Sequence, residues 1–330
     1  MARRERILAY CALGAVFFFW GTTYLAIRVG LETLPPTLFA GVRFLTAGAI
    51  LLAFLLIWRK ERLPKGKELL HQAVVGLMLL GVGNGLVVWA EVWIPSGMAA
   101  LLIATSPFWV VGFERLRSDG ERIGARSLVG MLVGFGGLLL LVAPQLFGAT
   151  LGMNYLLGML AIQIGCASWS GGSVYAKHHQ AHHRVRTAPL VGAAVQMLCA
   201  GAALTILGAL FGEWRVFHFS QRSLGAMVYL ILFGSIVAYG SYTYAMQKLP
   251  LSIVSTYSYV NPVIAVLLGW LVLAEPLGWR MITAMLIILG GVALVKTAAS
   301  GAAAKTNKEL APVGEPAPRA EILHRTAKAC

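Results

Sequence analysis

Ile94 to Pro107 reads IPSGMAALLIATSP, and Leu249 to Pro262 reads LPLSIVSTYSYVNP. Each stretch carries two prolines twelve residues apart, and Pro95 and Pro107 precede Pro250 and Pro262 by the same 155 residues. Both stretches lie in apolar runs, where a proline removes one backbone hydrogen bond and crowds the carbonyl four residues back. A costly feature that recurs at a fixed offset marks a duplicated unit. Moving outward, Glu121 and Glu275 are 154 apart, as are Gly136-Gly137 and Gly290-Gly291. GVRFLTAGA (Gly41 to Ala49) lies over AVQMLCAGA (Ala194 to Ala202) at an offset of 153, and Trp20 lies over Trp169 at 149. Small loop insertions account for the drift.

The unit is a membrane unit. With 58% hydrophobic and 12% charged residues and a mean hydropathy of +0.76, the 330-residue chain carries more apolar surface than a soluble core can hide. Runs of about 20 apolar residues, enough to cross roughly 30 Å of hydrocarbon, fall at residues 7–27, 36–58, 73–93, 97–113, 127–145, 155–176, 188–211, 223–247, 251–273 and 279–295. The expected fold is therefore an all-α integral membrane protein of ten transmembrane helices, with the lipid bilayer as its main partner. The basic start MARRERILAYCALGAVFFFW continues past Phe19 without a cleavage pattern and is read as the first span. Cys11, Cys166 and Cys199 fall within spans and Cys330 in the tail, so no disulfide or metal-binding spacing is present.

The net charge of +14 is a record of topology. If the N-terminus is cytoplasmic, cytoplasmic segments hold 22 of the 27 Lys and Arg and external segments hold four, with Arg43 inside the second span. That bias places both termini inside and favours a bacterial-type inner membrane. It also removes the case for nucleic acid as a partner. Five spans per repeat is an odd number, so the second repeat enters the membrane inverted relative to the first. The expected organisation is a cytoplasmic N-terminus (1–6), a first five-helix repeat (7–145), an inverted second repeat (155–295) and a disordered cytoplasmic tail (296–330). Inverted repeats are a device of secondary transporters, which use them to expose one midplane site alternately to each side. Pro107 and Pro262 then stand as candidate hinges, since they free the carbonyls of Ile103 and Ser258; a static packing kink is the other reading.

The segments WGTTYLAIRVGLETLPPTLFAGVRF (Trp20 to Phe44), IPSGMAALLIATSP, GERI (Gly120 to Ile123), SWSGGSVYAK (Ser168 to Lys177) and YVNPVIAVLLGWLVLAEPL (Tyr259 to Leu277) resemble the paired EamA repeats of the drug/metabolite transporter superfamily. The resemblance runs from about Leu13 to Val295. It implies a ten-helix bundle of two inverted repeats, an exporter of small metabolites or toxic compounds, and a central cavity walled by the first four helices of each repeat.

Polar and aromatic groups within spans are costly in lipid and are expected to face the bundle interior. Trp20, Tyr24 and Arg28 share one stripe, with Thr23 beside them; Trp169 is the repeat partner of Trp20. Tyr239, Tyr242, Tyr257 and Asn261 line up on the eighth and ninth spans. Such aromatic walls with scattered hydroxyls suit partly apolar solutes or organic cations. Arg43, about 10 Å below the outer end of its span by helix rise, and Glu91 carry two readings: an ion pair that fixes packing, or groups that hold an anionic substrate and exchange protons. Gln196 stands where Arg43 stands in the other repeat, so the halves are not chemically equivalent. Asn84, within GVGNG (Gly81 to Gly85), serves either helix packing or substrate. Gly130 and Gly134 form a GxxxG for packing within the monomer or for a possible homodimer. The paired histidines of KHHQAHHRVR (Lys177 to Arg186) have no acid or cysteine beside them, so no metal is assigned, and no cofactor is indicated. No nucleophile, base or metal-ligand set marks an enzyme. A membrane enzyme or a polytopic scaffold is the competing class, and short loops speak against the scaffold.

Overall fold

A computed structural model describes residues 3–116, 125–147, 152–182, 187–249, 251–254 and 256–309. All regular structure among them is helical: α1 (Arg3–Gly30), α2 (Pro36–Ile57), α3 (Lys67–Ala90), α4 (Ser96–Ile103), α5 (Ser106–Arg115), α6 (Ala125–Phe147), α7 (Met153–His182), α8 (Pro189–Leu210), α9 (Gln221–Lys248), α10 (Leu251–Val254), α11 (Tyr257–Leu273) and α12 (Trp279–Glu309), with a short 3-10 turn at Glu213–Arg215. Among the described residues, six helical segments are long and apolar enough to cross a membrane: α1, α2, α3, the α4–α5 segment, α8 and α9. Shorter apolar stretches occupy Leu128–Leu140, Val260–Leu273 and Trp279–Leu294.

Prolines open several of these helices. Pro36 and Pro189 sit in the first turn of α2 and α8, and Pro95 is the residue before α4. There the missing N–H is one that a helix start leaves unpaired anyway, and the fixed φ suits helix entry. Pro107 likewise stands in the first turn of α5, just after a turn at Ala104-Thr105 that interrupts the segment. The carbonyl of Ile103 accepts the hydroxyl of Ser106 at 2.6 Å, so the carbonyl freed by the proline is satisfied locally. Its repeat partner behaves differently. The helix runs through Pro262 without a break, and the interruption falls earlier, between Val254 and Tyr257.

Helices meet where side chains are smallest. α2 packs on α8 so closely that a Cβ on Gly41 would sit 2.5 Å from Thr205 Oγ1, and one on Gly201 would sit 2.4 Å from the Leu45 nitrogen. α6 packs on α12 in the same way, with Gly291 against Gly134 and the carbonyl of Gly130. The GxxxG of α6 is thus used inside the monomer. Large apolar side chains that point outward, among them Leu132, Leu139, Ile206 and Leu286, form the surface for lipid.

Three carboxylates hold helix starts from a distance. Glu213 accepts the backbone N–H of Leu38 (2.7 Å) and Thr37 (3.4 Å) at the start of α2. Glu275 accepts the N–H and hydroxyl of Ser96, both at 2.8 Å, and the N–H of Gly97 at 3.1 Å, at the start of α4. Glu68 accepts the N–H of Thr187 at 2.8 Å, and its hydroxyl, just before α8. Glu213 and Glu275 satisfy donors that a helix start leaves unpaired and meet the positive end of the helix dipole, while Glu68 fixes the residue two positions before α8. Glu121, the sequence partner of Glu275, lies outside the described residues.

α12 continues to Glu309, so the stretch 296–309 is helical where a structureless tail was expected. The alanines from Ala298 to Ala304 are strong helix formers that extend an existing helix at little cost. Residues 310–330 lie outside the described residues.

Candidate functional site: an aromatic and polar cavity between the helices

α3 and α9 each contain a π-helical stretch, Leu77–Asn84 and Leu230–Val237. The two are offset by 153 residues (230 − 77), which makes them repeat partners. A π turn widens the helix, breaks the regular 3.6-residue register and is frequent at functional sites. Both stretches border the main cavity, which is lined by Leu80, Gly83 and Asn84 from the first and by Gly234 from the second.

That cavity gathers most of the residues the sequence singles out. Trp20, Thr23 and Tyr24 come from α1, Arg43 from α2, Asn84 from α3, Trp169 from α7, Tyr239 from α9 and Tyr257 from α11. Ser106, Gly165 and Cys166 also line it, a contribution that sequence reasoning missed. The cavity volume is about 70 Å³. Glu91, Tyr242, Asn261 and the two hinge candidates are not on its wall. Glu91 and Asn261 are buried; Pro107 lines a second, smaller cavity together with Tyr242 and Ser258. A third cavity, with Gln72, Gln196 and Met246, also reaches Tyr242.

An aromatic cluster stands where these cavities meet. The Trp20 ring lies 5.4 Å from Trp169 and 5.2 Å from Tyr257, both edge-on at 81° and 88°, and 5.0 Å from Tyr242. Such edge-to-face contacts are favourable and directional. Trp20 Nε1 donates to the Gly234 carbonyl at 3.2 Å, and Tyr242 shares a 2.9 Å hydrogen bond with Ser173. Trp169 and Tyr257 line both the main and the second cavity, so these rings form the partition between them.

The polar groups divide unequally. Tyr239 donates to Gln196 Oε1, whose Nε2 donates to Gln72 Oε1 at 2.6 Å, so Gln196 is satisfied on both sides. Arg43, its repeat partner, is 3% exposed; its Nε donates to Ser235 Oγ at 2.9 Å and its guanidinium carbon lies 4.7 Å from the Phe44 ring centre. Arg43 Nη1, Asn84 Oδ1, Trp169 Nε1 and both carboxylate oxygens of Glu91 are buried and make no hydrogen bond. The Arg43–Glu91 ion pair weighed from the sequence is thus not formed as a hydrogen-bonded contact. Arg28 instead donates to the backbone carbonyl of Glu91 and to that of Val92 at 3.1 Å. Of the loop histidines, His178 meets Glu114 at 3.2 Å and His179 stacks on His71, with ring centres 3.7 Å apart. No group of three or more possible metal ligands occurs among the described residues.

A family model described as the EamA-like transporter family matches the chain twice, at residues 7–143 and 156–297. The chain belongs to the EamA-like transporter family. Among its relatives, the uncharacterized inner membrane transporter YedA of Escherichia coli (strain K12) is 41% identical over 272 residues, covering 82% of this chain and 84% of YedA. A probable amino-acid metabolite efflux pump of the same organism is 26% identical over 308 residues, covering 88% of this chain and 94% of the pump. A crystal structure of a protein 23% identical superposes with a TM-score of 0.66 over 89% of this chain and 98% of the other, which shows a shared fold.

Proposed function

We propose that this EamA-like transporter exports small organic solutes across the inner membrane by alternating access, with both termini cytoplasmic. The proposed frame is ten spans in two inverted five-helix repeats, 7–145 and 155–295. The double family match supports it, and so does the pairing of helices. α2 packs on α8 and α6 on α12; α1 contacts α9 and α11 as α7 contacts α3 and the α4–α5 segment. Exchange of the two halves turns each contact into its partner, as a two-fold relation requires.

One observation carries the mechanism: the aromatic partition of Trp20, Trp169, Tyr242 and Tyr257 lies between the main cavity and the smaller ones. Rearrangement of these rings, with the broken α4–α5 and α10–α11 segments taking up the strain, would join the main cavity to the other side. The positive-inside bias and the naming of YedA support the membrane and the orientation. The naming of the efflux pump supports the outward direction. One chain holds the whole cavity.

The test compares metabolites in the medium of cells that express the wild type or a Trp20→Ala, Trp169→Ala double variant at equal membrane levels. A compound enriched outside with the wild type alone supports export through this cavity. Identical media, with both proteins folded, contradict it.

A further inference from the structure

We infer that the cavity takes an organic anion: a small solute whose carboxylate docks on Arg43, while a hydrogen-bond donor elsewhere on it meets Asn84 Oδ1 and its apolar part lies against Trp20 and Tyr24. This rests on the transport reading above and adds the charge of the cargo.

Arg43 is buried, lines the cavity and is fixed by the 2.9 Å bond from its Nε to Ser235, yet its Nη1 makes no hydrogen bond. A guanidinium keeps its charge in any environment a protein offers. Buried with Nη1 lacking a hydrogen bond, it carries a desolvation cost, and a carboxylate is its geometric complement because two parallel N–H···O bonds can form. Asn84 supplies the second unsatisfied group, a buried acceptor on the same wall. One orphan donor carrying a charge and one orphan acceptor define a solute with an anionic head and a neutral donor.

The other half of the molecule sharpens the point. Gln196, in the matching position, uses both ends of its amide within the protein. The repeat therefore offers a closed version of this site, and only the Arg43 side is left open. Glu91 does not line the cavity, and its carboxylate accepts no hydrogen bond from Arg43. A cationic solute in the cavity would face the guanidinium directly, which selects against it by repulsion.

The full-length protein in detergent would be dialysed to equilibrium against radiolabelled 4-hydroxybenzoate, with unlabelled 4-hydroxybenzylamine as a competitor of the same size and opposite charge. The anion should bind, and the amine should fail to displace it at equal concentration. Arg43→Gln should weaken the anion about tenfold to a hundredfold, the range expected when a hydrogen bond to a charged group is lost, and Arg43→Lys should weaken it less. If Arg43→Gln fails to fold, the charge preference of the wild type alone decides. No binding of the anion, equal displacement by the amine, or unchanged affinity in a folded Arg43→Gln would each overturn the assignment. Flux of the anion into proteoliposomes is a separate readout: an anion that binds but never crosses would contradict the transport reading and leave the anion site standing.

Discussion

Glu91 is fully buried, and neither of its carboxylate oxygens holds a hydrogen bond, although a charged carboxylate in such a place is costly. Its surroundings are partly basic, but Arg28 Nη1 donates to backbone carbonyls and Arg43 Nε to Ser235. The isosteric Glu91→Gln is therefore expected to leave the melting temperature in detergent unchanged or raised, because it removes a charge and no hydrogen bond. A fall of several degrees would show that the carboxylate has a stabilising partner. The sequence made Arg43 and Glu91 conspicuous as charges inside spans. It did not reveal which of them faces the cavity, because that depends on how α2 and α3 turn against their neighbours and no periodicity encodes it. Ser106 and Cys166 were not read as cavity residues for the opposite reason: each is a small, ordinary residue on an apolar helix, given meaning only by what lies across from it.

At the scale of elements, prolines marked where helices start or weaken, and packing chose which sites break. Pro107 opens α5 beside the interruption, whereas the break before α11 precedes Pro262 by several residues. The π stretches were still less legible. GVGNG supplied a hint for the first, since clustered glycines loosen a helix, but Leu230–Val237 contains only Gly234 and gives no local signal. The acids at helix starts were invisible in sequence because each acts on a helix far away along the chain. Glu275 makes three hydrogen bonds at the start of α4. Glu275→Ala should destabilise the protein by about 1.5–3 kcal/mol, as for loss of hydrogen bonds to a charged group, and Glu275→Gln by less, read as loss of folded protein on thermal challenge. Equal stability of all three proteins would show that water replaces the carboxylate without cost. Gly41→Val probes the other kind of contact. With Thr205 2.5 Å from where a Cβ would sit, α2 and α8 must separate; the cost is expected at about 1–3 kcal/mol or more, seen as a smaller monodisperse peak on size exclusion.

At the scale of the whole molecule, the duplicated proline pairs and the apolar runs made the two-part membrane architecture readable, because lipid imposes a length and a composition that sequence cannot hide. The cavity was readable as a set of residue types: Trp20, Thr23, Tyr24, Arg43, Asn84, Trp169, Tyr239 and Tyr257 share one wall. Its partition was not, since Trp20, Trp169, Tyr242 and Tyr257 come from four separate helices and meet only in the packed bundle.

In the proposed mechanism this cavity opens alternately to the two sides of the membrane, and Cys166, on its wall, reports on it directly. A variant with Cys11, Cys199 and Cys330 replaced by serine would be treated with a membrane-impermeant thiol reagent from either side of oriented vesicles, with mass spectrometry reading the label on Cys166. The expected result is labelling from both sides, slowed from both by a solute that fills the cavity. Labelling from one side alone, whatever solute is present, would contradict alternating access.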